Sequence, residues 1–125
     1  MIALYLDGRV TLDARIEDID AAIASLGVGH TLMVVELPSG TTITVGGGPD
    51  RFVTEVAKSA TDRWCVVDPR QPDGDVELLV EGERFVSPAR LCVDRDAVRE
   101  AVRTFVSDNG ARSPRLEWSV PTWPT

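Results

Sequence analysis

Lysine and histidine are almost absent from this sequence, in which Lys58 is the one lysine and His30 the one histidine. Thirteen basic residues face twenty acidic ones, so the net charge is -7. Because affinity for nucleic acid comes largely from Lys and Arg displacing counterions at phosphates, this balance argues against direct nucleic-acid binding. An acidic surface instead favours association with a basic protein, although many acidic proteins are simply soluble.

The sequence also lacks long hydrophobic runs, since the longest, such as residues 32–35, fall far short of a bilayer span. Residues 1–6 are apolar but have no basic n-region and no cleavage site, so we expect a cytoplasmic protein that does not bind membranes. Cys65 and Cys92 form no C-x-x-C motif and are predicted to be buried free thiols. With 43% hydrophobic residues, the 125-residue chain is expected to form one domain over 1–125.

No pattern typical of an enzyme is found. Any catalytic triad must use His30 as its base, but His30 lies in a predicted loop and no G-x-S-x-G motif supplies a nucleophile. Asp68, Asp73 and Asp75 are acidic but lack the spacing and closing glutamate of a calcium loop. We therefore predict no catalytic residue, no metal and no cofactor.

Three consecutive glycines, Gly46, Gly47 and Gly48, follow an apolar β-branched run in VGGGPDRF. A phosphate loop would need G-K-[ST] at a fixed spacing, yet Lys58 comes ten residues after Gly48, and Arg51 replaces the third glycine of a dinucleotide fingerprint. The glycines are thus predicted to form a turn that ends a strand. The pattern of the next residues, 52–60, fits either a helix or a strand.

Two amphipathic helices are predicted, at about 14–26 and 95–107. In the first, Ile16, Ile19, Ile23 and Leu26 share one face, with Asp13 as the expected cap and Gly27 as the stop. The second is expected to begin after Asp94 and to end at Asn109-Gly110. Its arginine stripe is predicted to be a solvated face held by ion pairs, and it consists of Arg95, Arg99 and Arg103.

Short β-rich runs account for most of the remaining chain. They are predicted at 2–6, 9–12, 31–37, 41–45, 64–67, 76–80, 84–86 and 116–120, and are separated by turn signals such as Asp7-Gly8. This order favours an α+β fold with a mainly antiparallel sheet of about six to eight short strands. The proline-containing tail, 121–125, is expected to be irregular.

Four segments of the chain resemble an immunity-protein family. They are FVSPAR at 85–90, AVREAVRTF at 97–105, PRLEW at 114–118 and the run that ends in the three glycines. This is Imm family one, the immunity proteins of bacterial polymorphic toxin systems, which are common in actinobacteria. The resemblance spans nearly the whole chain and favours a strand at Phe52 to Val56. Glu117 and Trp118 match the family's glutamate and tryptophan and, like the glycines, are expected to be structural.

The resemblance implies a protein that binds and neutralises a toxin domain without catalysis. Such toxins often act on nucleic acid, for example as deaminases or nucleases, and a basic toxin would be attracted by this acidic chain. A non-inhibitory adaptor module and, less favoured, a small enzyme using His30 are the alternatives. Because motif residues are expected to form the scaffold, we predict that the partner-binding residues are exposed acids outside the motifs. They are Asp68, Asp73, Asp75, Glu77, Glu81 and Glu83, with Trp64 and Trp123 as possible anchors.

Overall fold

The structure is a computed structural model that describes residues 1–121. Within this range the helices are α1 (Ile16–Ser25) and α2 (Arg95–Ser107), and a 3-10 turn spans Ala89–Leu91. The strands are β1 (Ala3–Leu6), β2 (Arg9–Thr11), β3 (Leu32–Glu36), β4 (Thr42–Gly47), β5 (Phe52–Ala57), β6 (Arg63–Val67), β7 (Asp75–Val80), β8 (Glu83–Pro88) and β9 (Glu117–Ser119). The predicted α+β fold is confirmed. Trp123 and most of the expected irregular tail lie outside the described residues.

Seven strands form one antiparallel sheet in the order β2-β1-β3-β4-β5-β6-β9, and β7 pairs with β8 in a separate hairpin. The first turn is closed by Asp7 and Gly8, whose φ angles of 43° and 89° suit a two-residue hairpin. The Asp7 carboxylate also accepts hydrogen bonds from the amides of Thr31 and Leu32, at 3.1 and 2.7 Å. The turn signals in the sequence thus correctly indicated the order of hairpins.

Helices α1 and α2 cover one face of the sheet and enclose the main core, where Ile19, Ile23, Val45 and Phe105 are essentially inaccessible. Helix α1 is shorter than predicted. It begins after Arg15, whose amide donates to the Asp18 carboxylate at 2.9 Å, so the prediction of Asp13 as the cap was wrong. No helix within residues 1–121 is long and apolar enough to cross a membrane.

The arginine stripe of α2 divides into two kinds of residue, which corrects part of its interpretation as a solvated face. Arg99 makes an exposed contact with Asp96, at 3.4 Å. The Arg95 guanidinium instead donates to the carbonyl oxygens of Ile23, Leu26 (2.9 Å) and Pro49 (3.2 Å) and lies 5.0 Å from the centroid of the Phe52 ring. Arg95 therefore satisfies carbonyls at the C-terminal end of α1, where a helix leaves its last acceptors without partners.

The β7–β8 hairpin packs on part of the opposite face of the sheet. Leu78 from β7 meets Val53 and Cys65 from the sheet. Leu91 from the 3-10 turn and Cys92 directly after it complete this smaller core. Both cysteines are buried and free, as predicted. Residues 1–121 thus form three layers, with the helices, the sheet and a two-stranded hairpin in that order.

Residues 46–48 combine a strand end with unusually close backbone packing. Gly46 and Gly47 belong to β4, which corrects their assignment to a turn, and only Gly48 begins the connection to β5 through a cis bond to Pro49. A Cβ on Gly48 would lie 2.6 Å from the Cα of Gly27, and one on Gly27 would lie 2.4 Å from the Cα of Pro49. The predicted strand after the glycines is confirmed by β5.

We expect Gly27→Ala to destabilise the fold far more than Gly8→Ala. Both glycines have φ close to +90°, where alanine costs about 1–2 kcal/mol, but a Cβ on Gly8 would meet nothing within 4 Å. Urea unfolding of the two variants therefore separates backbone strain from the clash at Pro49. Equal losses of unfolding free energy would contradict the close approach.

We also expect Arg95→Ala to lower the free energy of unfolding by about 2–4 kcal/mol, because carbonyls at the end of α1 lose charge-assisted hydrogen bonds. Arg99→Ala is the matched control on the same helix, and it should cost less than about 0.5 kcal/mol because its ion pair is exposed. Chemical denaturation measures both. Similar values for the two variants would show that Arg95 does not stabilise this junction.

Candidate partner-binding surface

The β7–β8 hairpin gathers five of the predicted partner-binding acids in one projecting element. Asp73 lies just before β7, Glu81 lies in the turn and the others lie on the two strands: Asp75, Glu77 and Glu83. All five are exposed. We call this element, residues 73–88, the acidic hairpin.

The tip of the acidic hairpin is fixed to the sheet by polar contacts. The Glu81 amide donates to Thr31 Oγ1 at 2.8 Å, and the Tyr5 hydroxyl donates to Glu81 Oε2 at 3.3 Å. Behind the tip, Val80 packs against Gly46, where an added Cβ would lie 3.3 Å from Val80 Cγ2. Glu81 therefore has a positioning role in addition to its charge, which its sequence context did not indicate.

The outer face of the acidic hairpin mixes charged and apolar side chains. Because side chains alternate along a strand, Glu77 and Leu79 point away from the sheet while Leu78 points towards it. Arg84 opposite Leu79 forms an ion pair with Glu77 at 3.3 Å, and Val86 lies opposite Glu77. Leu79 and Val86 are 54% and 49% exposed, so this face also offers apolar surface that the charge pattern did not indicate.

Asp68 differs from the hairpin acids because its carboxylate is already engaged. It is half-buried after β6 and accepts hydrogen bonds from the backbone amide and the side chain of Arg70, at 3.0 and 3.1 Å, and from Gln71 at 3.4 Å. The side-chain and backbone hydrogen bonds from Arg70 lower the pKa of Asp68. These contacts indicate that Asp68 orders its own loop.

Trp64, one of the two predicted aromatic anchors, is not brought together with the hairpin acids. Trp64 pairs with Val56 in the sheet register and so lies on the helix-covered face, where the Arg112 guanidinium stacks 4.0 Å from its ring centroid. The Trp64 indole donates to Asp62 at 3.0 Å. Trp123, the second predicted anchor, lies outside the described residues.

The two motif residues on β9 have different environments. Trp118 is half-buried against the main core and donates from Nε1 to the carbonyl oxygen of Ser113 at 3.0 Å, as a structural residue would. Glu117 is exposed on the same edge strand. The environment of Trp118 favours the structural role expected for it, whereas nothing comparable surrounds Glu117.

A cleft opens between the acidic hairpin and the sheet. It has a volume of about 280 Å³ and is lined by Leu32, Thr44, Gly46, Val53, Glu55, Arg63, Val80 and Phe85. We call it the sheet–hairpin cleft. Glu55 is only 8% exposed, and its Oε1 accepts hydrogen bonds from Arg63 Nε and Nη2 at 3.0 and 2.5 Å. The cleft therefore has mostly apolar walls and one ion pair, in which Glu55 and Arg63 neutralise each other's charge.

The Cys65 thiol lies beneath this pair and is not set up as a nucleophile. Its sulfur is 3.8 Å from Glu55 Oε2, and burial, together with the Glu55 carboxylate, raises the pKa of Cys65 to about 12. A reactive cysteine needs the opposite shift, towards a thiolate at neutral pH. In addition, residues 1–121 contain no group of three or more His, Cys, Asp or Glu side chains that could hold a metal ion.

The sequence matches the family described as immunity protein Imm1 over residues 7–120. The match includes every strand and helix from β2 to β9, so the chain belongs to the immunity protein Imm1 family. Comparison with curated proteins found no match. Family membership supports an immunity function and implies that the chain binds a toxin partner.

We expect Glu55→Gln to lower the free energy of unfolding by about 1–2 kcal/mol, because the change removes the charge that neutralises Arg63. This value is below the range for a fully buried pair, since the Arg63 side chain is 49% exposed. Glu77→Gln is the matched control in an exposed pair and should cost less than about 0.5 kcal/mol. Urea denaturation distinguishes the two, and an equal effect would contradict the role given to the buried pair.

Proposed function

We propose that this chain binds a toxin domain that acts on nucleic acid and blocks it stoichiometrically, without catalysis. The proposal combines the family membership with one structural observation, the concentration of five exposed carboxylates on the acidic hairpin. An enzyme that binds nucleic acid presents basic groups along its substrate path. The acidic hairpin offers carboxylates to the same groups and so competes for that surface.

The charge of the chain supports rapid association as well as occupancy. A net charge of -7 accelerates encounter with a basic surface, and the effect weakens as salt screens the charges. Protection from a lethal enzyme requires a dissociation constant of about 1 nM or less, which corresponds to about -12 kcal/mol. Charge alone does not supply this affinity, so apolar contacts such as Leu79 and Val86 are needed beside the acids.

The place of action follows from the proposed target. A toxin that attacks nucleic acid acts where cellular nucleic acid lies, so the immunity protein has to be present in the cytoplasm. The chemistry of a base deaminase or a nuclease is in both cases stopped by covering the path of the substrate. The proposal therefore requires a complex and no turnover by this chain.

The double charge reversal Asp73→Lys/Asp75→Lys is expected to slow association with the toxin about 10-fold at low ionic strength, because both carboxylates are exposed and steer encounter. The difference from the unmodified protein should shrink at high salt. Binding kinetics with a catalytically inactive form of the partner toxin domain measure the effect. Rescue of growth in cells that express the active toxin is the functional readout.

Asp20→Lys/Asp108→Lys is the matched control, with the same change of net charge on exposed residues of the helix layer. It should reduce the association rate much less than the hairpin reversal. If both reversals act equally, only net charge matters and the acidic hairpin is not the contact. If the unmodified chain neither binds the toxin nor restores growth, the proposed function itself is wrong.

A further inference from the structure

The sheet–hairpin cleft is an open, mostly apolar recess next to the acidic hairpin. Leu32 and Val53 come from the sheet, and Val80 and Phe85 come from the hairpin. Because these walls belong to two separate sheets, docking of the hairpin creates the cleft. In protein interfaces, binding energy concentrates in apolar pockets of this kind that lose their water when the partner binds.

The interior of the cleft favours an apolar group over a charged one. Its one carboxylate, Glu55, is held by Arg63, so neither charge is left without a partner. An inserted cation would meet the Arg63 guanidinium, whereas an inserted hydrocarbon would exchange water for the apolar walls. The cleft thus selects for an apolar side chain.

The rim of the cleft has the opposite preference. Glu81 and Glu83 line an adjoining hollow that shares Val80 and Phe85 with the cleft, while Arg84 beside them is engaged by Glu77. The open sheet face continues past Leu32 into a second shallow hollow, which is lined by Ala3, Tyr5, Val10, Leu32, Val34 and Glu36. Carboxylates therefore border an otherwise apolar surface, which complements an apolar residue flanked by basic ones.

We propose that the sheet–hairpin cleft is an anchor pocket for one large apolar side chain of the toxin, flanked in the toxin by Lys or Arg. This inference rests on the proposed function and assigns a place to its main apolar contact. The cleft volume of about 280 Å³ lies just below the usual range for small-molecule sites. A stable interface needs about 800 Å² from each partner, so the cleft is one anchor within a contact that also covers the hairpin.

A second copy of this chain fits the surface less well than a basic toxin. Each copy carries a net charge of -7, and the mouth of the cleft would bring two sets of rim carboxylates together. Like charges facing each other across an interface oppose association. Charge complementarity thus favours the basic partner.

The test is to fill the cleft with Thr44→Phe. Thr44 is half-buried on β4 and lines the cleft, and its side chain makes no hydrogen bond in the described part of the chain, so the new ring takes the space of the incoming side chain. Dissociation of the complex with the inactivated toxin domain should become ~10- to 100-fold faster, the loss expected for one large apolar side chain.

Thr42→Phe is the matched control, because Thr42 lies on the same strand and the same face but borders the neighbouring hollow instead of the cleft. It should change the dissociation rate less than about 3-fold, which corresponds to well under ~1.4 kcal/mol. Circular dichroism and thermal unfolding verify that both variants fold. Unchanged dissociation for Thr44→Phe, or equal acceleration by both variants, overturns the anchor pocket while leaving the proposed function intact.

A second variant, Leu32→Ala, removes a wall instead of filling the cleft and so tests the pocket if Thr44→Phe does not fold. It should also accelerate dissociation, whereas Val28→Ala, at an exposed site after α1, should not. Sedimentation of the chain alone measures its oligomeric state and so tests whether a second copy of the chain occupies the cleft. A dimer that Thr44→Phe converts to a monomer would show that a second copy fills the cleft and would overturn the assignment to the toxin.

Discussion

The fold depends on the crowded junction at which the C-terminal end of α1 meets the connection between β4 and β5. Two backbones approach there so closely that neither Gly27 nor Gly48 has room for a Cβ. Arg95 spans the same junction and donates to carbonyls on both sides of it. One helix, the sheet and the second helix are thereby fixed relative to one another, and the main core is enclosed between them.

Local signals in the sequence were sufficient for most of the fold. The Asp7-Gly8 turn and the Asp94 cap are set by nearby residues, and the cap is confirmed by a hydrogen bond from the Ala97 amide at 2.9 Å. Ile16 fits the helical periodicity but is 45% exposed, because the core lies against the later turns of α1. The role of Arg95 could not be predicted, since its partners are more than forty residues distant in sequence.

The candidate site could be predicted only where neighbours in sequence are also neighbours in space. The hairpin acids met this condition because two adjacent strands carry them. Asp68 is engaged by hydrogen bonds from Arg70, and charge patterning does not reveal such bonds. Trp64 is separated from the hairpin acids because it lies on the other face of the sheet, which charge patterning does not reveal either. The cleft depends on how the hairpin docks, so no single segment of the sequence could have indicated it.

Alternation along β7 gives its two sets of side chains different physical constraints. Leu78 and Val80 hold the hairpin on the sheet, whereas Glu77 and Leu79 point outwards and contribute little to the core. Substitutions on the outer face are therefore expected to cost little folding free energy. Under the proposed function, replacements on this outer face let the protein follow a changing toxin while its three-layer framework stays the same.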